Sequence, residues 1–376
     1  MKTYTEDRRS KLKYKENHAA SESLMERPFV SIVVPAYNES AIIEENLQQI
    51  CDYMQALEAQ YLWELIVVND GSKDNTGQLA DAFAHGHGNV KVIHHIVNRN
   101  LGGALQTGFQ AAKGDYVIVM DIDLTYSVGH IEKLMARILE TDADMVIASP
   151  YMKGGKNTAV PRLRLLLSKV VNRMMRLMSP SKIHTYTGMV RVYKRSFLQN
   201  LNLKSITYSI NPEIIFKGII LRARIEEIPA HLDWSKQDKT GRVSSIRIFD
   251  GILAGLMSGF IFRPYFLFMG VGLALFLVSF YIILWIFIHT FSVLPEISLV
   301  AGNFEDRFGL AVARVFSERP YSFMVGGICL IISFQFLGIG FLSLQNKRYF
   351  DELFHINTSL LEKQAQKTER ITGKGN

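Results

Sequence analysis

Asp121 and Asp123 stand one residue apart at the end of an apolar run, Tyr116-Val117-Ile118-Val119-Met120, which follows Lys113-Gly114-Asp115. Such a run suits a strand buried between layers of helices, and Gly114-Asp115 is a turn pair suited to lead into it. A sheet interior does not hold two bare charges. The strand is therefore expected to end here, at the carboxyl edge where open α/β sheets bind ligands. If strand-like geometry persists through Ile122, alternation with period two puts both carboxylates on one side. Two oxygen ligands on one side suit Mg2+ or Mn2+ that keeps water and phosphate oxygens as its other ligands. Two solvated turn aspartates would have the same spelling, so the surrounding elements must decide.

Those elements alternate. Phe29 to Pro35 (FVSIVVP) is a buried strand that Pro35 should end, with Tyr37, Asn38 and Glu39 in the loop after it. A helix follows from about Ser40 to Ala59, with Ile42, Ile43, Leu47, Ile50, Tyr53, Met54 and Leu57 at near-helical spacing. Trp63 to Asn69 is a second strand ending in Asp70-Gly71-Ser72, and Asp74 or Thr76 can cap the helix after it. Val90 to Val97 is a third strand, and Asn100-Leu101-Gly102-Gly103 opens a helix to Ala112. The acidic pair closes the fourth. Ser127 can cap a helix to about Glu140 before a fifth strand, Met145 to Ser149. This alternation argues a parallel sheet with helices on both faces. Neither a Walker lysine motif nor G-x-G-x-x-G after a strand is present, and Gly102, Gly103 and Gly108 equally suit close helix packing.

Of the 376 residues, 48% are hydrophobic, and they are unevenly placed. Residues 266–290 and 321–346 run without a charge, and each exceeds the roughly 20 residues needed to cross a bilayer as a helix. The expected order is a disordered basic leader (1–27), a soluble α/β head (28–243), a juxtamembrane interfacial helix (244–262), two spans (263–346) and a polar tail (347–376). No secretory signal precedes the head. Lys347 and Arg348 follow the second span and Arg263 precedes the first, whereas the loop 291–320 is close to neutral. The positive-inside bias puts head, tail and both termini in the cytoplasm of a multi-pass membrane protein, here a bacterial cell membrane. Cys51 and Cys329 give neither a disulfide framework nor zinc spacing. The net charge of +7 suits anionic lipid or phosphorylated substrates, and no nucleic-acid partner is expected.

The stretches SIVVPAYNE, VVNDGSKDNT, NRNLGGALQTGFQAAKGDY and MDID, in this order and spacing, resemble the nucleotide-sugar domain of glycosyltransferase family 2, which has the GT-A fold. The resemblance covers about residues 29 to 245. With TYTGMVRVYKR and the two spans, it narrows to polyprenyl-phosphate glycosyltransferases, the group that includes dolichyl-phosphate mannose and glucose synthases. It implies that Pro35, Tyr37, Glu39 and Gly103 line the nucleotide-sugar pocket and that Asp70 lies near the base or ribose. Asp121 and Asp123 would hold Mg2+ or Mn2+ on the diphosphate. Thr125 stands where the family often has Gln.

A lipid monophosphate already carries a nucleophilic oxyanion, so basic residues are needed beside the metal more than a general base. Residues 161–178 (PRLRLLLSKVVNRMMRLM) carry Arg162, Arg164, Lys169, Arg173 and Arg176 between apolar residues, with no acid, as an interfacial helix would. Arg191 matches a basic family position near the acceptor phosphate, and Arg162 is the second candidate. Two departures stand out: Pro150 follows Ser149 where Arg is common, and the later basic loop, residues 236–244, is displaced. Lys239 or Arg242 could still reach a phosphate. Glu213 matches a family acid at the head of a helix.

The expected activity is inverting, metal-dependent transfer of a sugar from a nucleoside-diphosphate sugar to polyprenyl (undecaprenyl or dolichyl) phosphate on the cytoplasmic leaflet. A UDP-sugar is favoured and GDP-mannose stays open, as does a homo-oligomer. The product would feed a cell-envelope glycan. The rivals are a processive polysaccharide synthase, disfavoured by the missing Gln-x-x-Arg-Trp motif, and a non-catalytic membrane scaffold or nucleotide-sugar sensor.

Overall fold

The structure is a computed structural model that describes residues 27–177, 179, 181–235, 264–297 and 303–372. The leader before Arg27, the juxtamembrane stretch 244–262 and the loop carrying Lys239 and Arg242 lie outside the described residues. Two compact units emerge: Met1–Arg173 with Ser181–Ala254, and Met174–Pro180 with Gly255–Asn376.

The first unit is built on a seven-stranded sheet, in the order β3-β2-β1-β4-β7-β5-β8. Its strands are β1 (Phe29–Ala36), β2 (Leu62–Asn69), β3 (Val90–His94), β4 (Tyr116–Val119), β5 (Met145–Ser149), β7 (Arg191–Lys194) and β8 (Ile225–Pro229). A separate parallel pair joins β6 (Lys156–Thr158) to β9 (His231–Asp233). Between strands run α1 (Ile43–Ala56), α2 (Thr76–His85), α3 (Asn100–Ala111), α4 (His130–Thr141), α5 (Arg162–Leu177), α6 (Arg195–Asn200) and α7 (Ile210–Ile220). β3, β2, β1 and β4 are mutually parallel, as the alternation implied.

β7 is antiparallel to both β4 and β5 and parts them, so the sheet is mixed. The short β7 carries Arg191 and no long apolar run, which is why periodicity missed it. Pro35 does not end β1. It pairs with Val68 and the strand runs to Ala36. The start of β4 is set by one buried polar network. Ser31 Oγ donates to Glu64 Oε1 at 2.5 Å and accepts from Gly114 N at 2.8 Å, while Lys113 N donates to the same Glu64 oxygen at 2.7 Å.

The core lies on both faces of the sheet. Val30, Ile32 and Val34 of β1 pack with Ile43, Leu47, Ile50 and Met54 of α1 and with Ile131, Leu134, Met135 and Ile138 of α4. These helix residues recur every three or four positions, so each helix buries one stripe.

The second unit holds α8 (Pro264–Ile297), α9 (Phe304–Glu318) and α10 (Pro320–Thr372). α8 and the stretch Pro320–Leu353 of α10 are long and apolar enough to cross a membrane, with mean hydropathies of 2.7 and 2.1. Each of these 34-residue stretches extends about 50 Å, beyond a hydrocarbon core of about 30 Å. Gly272 on α8 lets Leu337 approach, Gly340 on α10 does the same for Met269, and Ser279 Oγ donates to the Gly326 carbonyl at 2.8 Å. Small residues and one polar bond are what join helices in lipid. α9, unforeseen within the loop 291–320, buries Ala311 and Val315 beside Val293 and Ile297.

Candidate functional site

β4 stops at Val119, and the acidic pair sits in a turn rather than on an extended strand. Leu124 N donates to the Asp121 carbonyl at 3.1 Å, and Leu124 takes a φ of 48°, in the left-handed region. The two carboxylates are brought within electrostatic reach of each other by a turn, not by the alternation of a strand. Asn46 of α1 clamps the turn from beneath, donating to the Ile122 carbonyl at 2.7 Å. Thr125 N donates to Asp123 Oδ1 at 3.0 Å, and the Thr125 carbonyl accepts from Asp233 N at 2.9 Å, tying the turn to β9.

Burial holds the Asp121 carboxyl well above its ordinary value, and the charges of Asp123 and Glu39 push it the same way. Arg164 on α5 is the cation that pulls it down. Burial lowers the Arg164 guanidinium, while Tyr208, Tyr151, Asp123 and Asp121 raise it again. Its guanidinium lies 3.8 Å from the centroid of the Trp234 ring, and one turn along α5 Ser168 accepts from the Tyr151 hydroxyl at 2.7 Å. Acids close to one another raise each other's pKa, and a nearby cation relieves that. Among the described residues no three His, Cys, Asp or Glu converge as a metal cluster. Two carboxylates with positions to spare would fit a divalent cation sharing its shell with water and phosphate.

Beside the acids lies a braced loop system at the ends of β1 and β2. Asn38 (φ 55°) donates its N–H to Ser72 Oγ at 3.0 Å and accepts from Lys73 N at 2.8 Å, while Glu39 N donates to Thr76 Oγ1 at 2.7 Å. Tyr37 and Glu39 are half-buried here, next to Pro35. Asp70 is buried at the end of β2. Gly71 has a φ of 67°, and a Cβ there would come within 2.6 Å of Asn98 N, so the chain can turn here only without a side chain. Gly103 is buried in the first turn of α3, its N–H donating to the Ile206 carbonyl at 3.2 Å.

The basic candidates fare differently. Arg191 is completely buried, donating from Nη1 to the Asn211 carbonyl at 2.9 Å and from Nη2 to the Tyr186 carbonyl at 2.7 Å. The guanidinium expected to face the acceptor is closed in here, with Nη1 and Nη2 bonded to main chain. Arg162 is exposed at the first turn of α5. Arg164, two residues on, is the one beside the acids. Sequence reasoning noted it only as one of five basic residues. Its signal was register: positions 164, 168, 171 and 172 fall on the covered side of α5, whereas Arg162, Lys169 and Arg173 are exposed. The outward side also carries Leu163, Leu166 and Val170, 68%, 60% and 44% exposed. Glu213 turns away from any ligand role. It accepts from Lys204 N (2.9 Å) and Ser205 N (2.8 Å) and pairs with Lys217 at 2.6 Å.

The family described as Glycosyl transferase family 2 matches residues 31–201. A dolichol-phosphate mannosyltransferase of Pyrococcus furiosus is 32% identical over 203 residues, 53% of this chain and 55% of that relative. The chain thus spans about half the length of that relative. A polyprenol monophosphomannose synthase of Mycolicibacterium smegmatis is 31% identical over 205 residues, covering 53% of this chain and 75% of the relative. Among solved structures, glucosyl-3-phosphoglycerate synthase of Mycobacterium tuberculosis, in complex with Mn2+, UDP and phosphoglyceric acid, aligns at TM-score 0.44 and 19% identity, over 62% of this chain and 78% of that one.

Proposed function

The chain belongs to glycosyl transferase family 2, and from that premise we propose that it moves a sugar from a nucleoside-diphosphate sugar to polyprenyl phosphate at a membrane surface. The observation that carries this reading is the position of Arg164. It stands beside Asp121 and Asp123 on a helix whose outward side is both apolar and basic. An acidic pair suits a cation on a donor diphosphate, and a guanidinium next to it suits a second phosphate. Leu163, Leu166 and Val170 with Arg162, Lys169 and Arg173 suit an anionic lipid surface. The names of the two relatives point to the same acceptor class.

The chemistry asks little of the protein in proton transfer. An acceptor phosphate oxygen forms a bond to the anomeric carbon as the bond from that carbon to the donor diphosphate oxygen breaks. The nucleoside diphosphate departs and the configuration inverts. The acceptor is already an oxyanion at neutral pH, so positioning supplies the rate. Arg164 would orient the acceptor phosphate and screen its charge from that of the donor. Bound to Asp121 and Asp123, Mg2+ or Mn2+ would neutralise charge on the leaving diphosphate. Tyr37 and Glu39 would wall the nucleotide side, and α8 and α10 would anchor the enzyme, with Lys347 and Arg348 marking the cytoplasmic face.

The test uses the full chain in lipid nanodiscs with a panel of nucleotide sugars, Mn2+ and undecaprenyl phosphate, with mass analysis of the lipid. One lipid-linked sugar is expected, and Arg164→Ala should raise KM for the lipid phosphate about tenfold or more while donor KM changes little. Absence of any glycosylated lipid across the panel would overturn the proposal.

A further inference from the structure

The buried Asp70 carboxylate is unequally used. Its Oδ1 accepts from Arg99 N at 2.8 Å and from His95 Nδ1 at 2.6 Å. The far ring nitrogen of His95, Nε2, meets Thr107 Oγ1 at 2.8 Å, and His95 N donates to the Asn69 carbonyl at 2.9 Å. A carboxylate only accepts, so Nδ1 carries the proton and donates. The His95 side chain is 6% exposed and that of Asp70 5%. Imidazole and carboxylate are therefore locked by four elements: the end of β2, the segment after β3, the approach to α3 and α3 itself. Among the described residues no hydrogen bond reaches Oδ2, and Oδ2 is not one of the fully buried orphaned atoms, so one oxygen of the carboxylate stays open to a ligand.

The position says which part of a ligand. β2 and β4 flank β1, so Asp70 stands two strands, about 10 Å, from the acidic turn after β4. A diphosphate held at that turn would place a ribose across β1 and the base at Asp70. Nucleobases differ in what they offer a carboxylate. Uracil presents a single imide N–H, N3–H, between two carbonyls. Guanine presents two adjacent donors, N1–H and the N2 amino group, and is best met by a carboxylate with both oxygens free.

Resting on the proposed donor reading, the geometry points to His95 as a positioning residue for donor choice. By saturating Oδ1 it leaves Asp70 one acceptor, which selects uracil over guanine and hence a UDP-sugar as donor. His95 touches no substrate. It acts by fixing how many oxygens Asp70 can offer, and Thr107 holds the ring in that orientation.

The experiment is calorimetric titration of the full-length protein in nanodiscs, with Mn2+, using UDP and GDP as probes. Wild-type protein is expected to bind UDP about tenfold or more tightly than GDP, since a guanine amino group left unpaired costs about that much. His95→Leu leaves Oδ1 only its bond from Arg99 N, freeing one lone pair, and should shrink the ratio severalfold. His95→Gln, which can still donate an N–H, should retain most of it, and Thr107→Val should narrow it less than His95→Leu does. GDP bound as tightly as UDP by the wild type overturns the inference and leaves the transferase reading intact. Equal weakening of both nucleotides in His95→Leu and His95→Gln, with the ratio unchanged, also overturns it, reducing His95 to a packing residue. Binding of neither nucleotide overturns the donor reading together with it.

Discussion

Asp121 and Glu213 are both carboxylates enclosed in the first unit, and their surroundings treat them in opposite ways. Glu213 lies in the first turn of α7, where the helix dipole favours an anion, and Lys217, Ser205 N and Lys204 N engage its oxygens. These partners outweigh burial and hold its pKa below the ordinary value. Asp121 has burial and two further acids against it and, among the described residues, Arg164 in its favour, so its pKa is held up. A carboxylate whose demands are met within the chain is part of the scaffold. One left in repulsion is kept for something that arrives from outside.

The largest effect that would sharpen this contrast is Asp121→Asn. Transfer should fall about a thousandfold, the scale on which electrostatic support for a departing anion is lost. The melting temperature of the cation-free protein should stay level or rise. With its folded pKa raised, an ionised Asp121 costs stability at all pH above that value, and the amide removes that cost. Product formation and thermal unfolding measured on one preparation decide it, and retained turnover breaks the contrast.

The same chemical change at the other carboxylate should do the reverse. Glu213→Gln should destabilise the fold by about 3 kcal/mol, because the buried Lys217 loses the counter-charge of Glu213. The folded pKa is depressed, so this contribution is present above the ordinary glutamate range and is lost as pH falls through the depressed value. Denaturant melts of wild type and variant should therefore converge in acid.

The smallest effect is ligand-linked. Mn2+ at a hundredfold over its Kd should stabilise the wild type by about 2.7 kcal/mol. Protons compete for Asp121, so the gain should shrink as pH falls, and Asp121→Asn should not show it. A gain of equal size in that variant would place the ion elsewhere.

Much of the scaffold was legible because it is written in local pattern. The four strands β1 to β4, the helices between them and the two apolar spans follow from hydrophobic runs and periodicity, and the turn with Asp121 and Asp123 was marked by charge ending such a run. Boundaries were less legible. The sequence placed the helix after Ser127 up to three residues early, and it begins at His130, with Ser127 O accepting from His130 N. β7 and β8 are short enough that nothing periodic announces them, whereas α9 did carry a helical stripe, Phe304, Phe308, Ala311 and Val315, that went unread. The existence of the two strands depends on neighbours distant in sequence, as when Arg191 pairs across to Val119 and Ile147.

The chain by itself determined an α/β head with an acidic turn at a sheet edge and two lipid-compatible helices, since burial of apolar runs and exclusion of bare charge are properties of short stretches. Only tertiary structure set the surroundings of Arg191 and Arg164 apart. Both are basic residues in apolar company, and the difference lies in what closes around them. A seven-stranded sheet with β7 reversed seals Arg191 inside, whereas the register of α5 brings Arg164 to the acids. The pairing of His95 with Asp70 has the same origin. Twenty-five residues separate them, and only the parallel alignment of β2 and β3 brings their ends together.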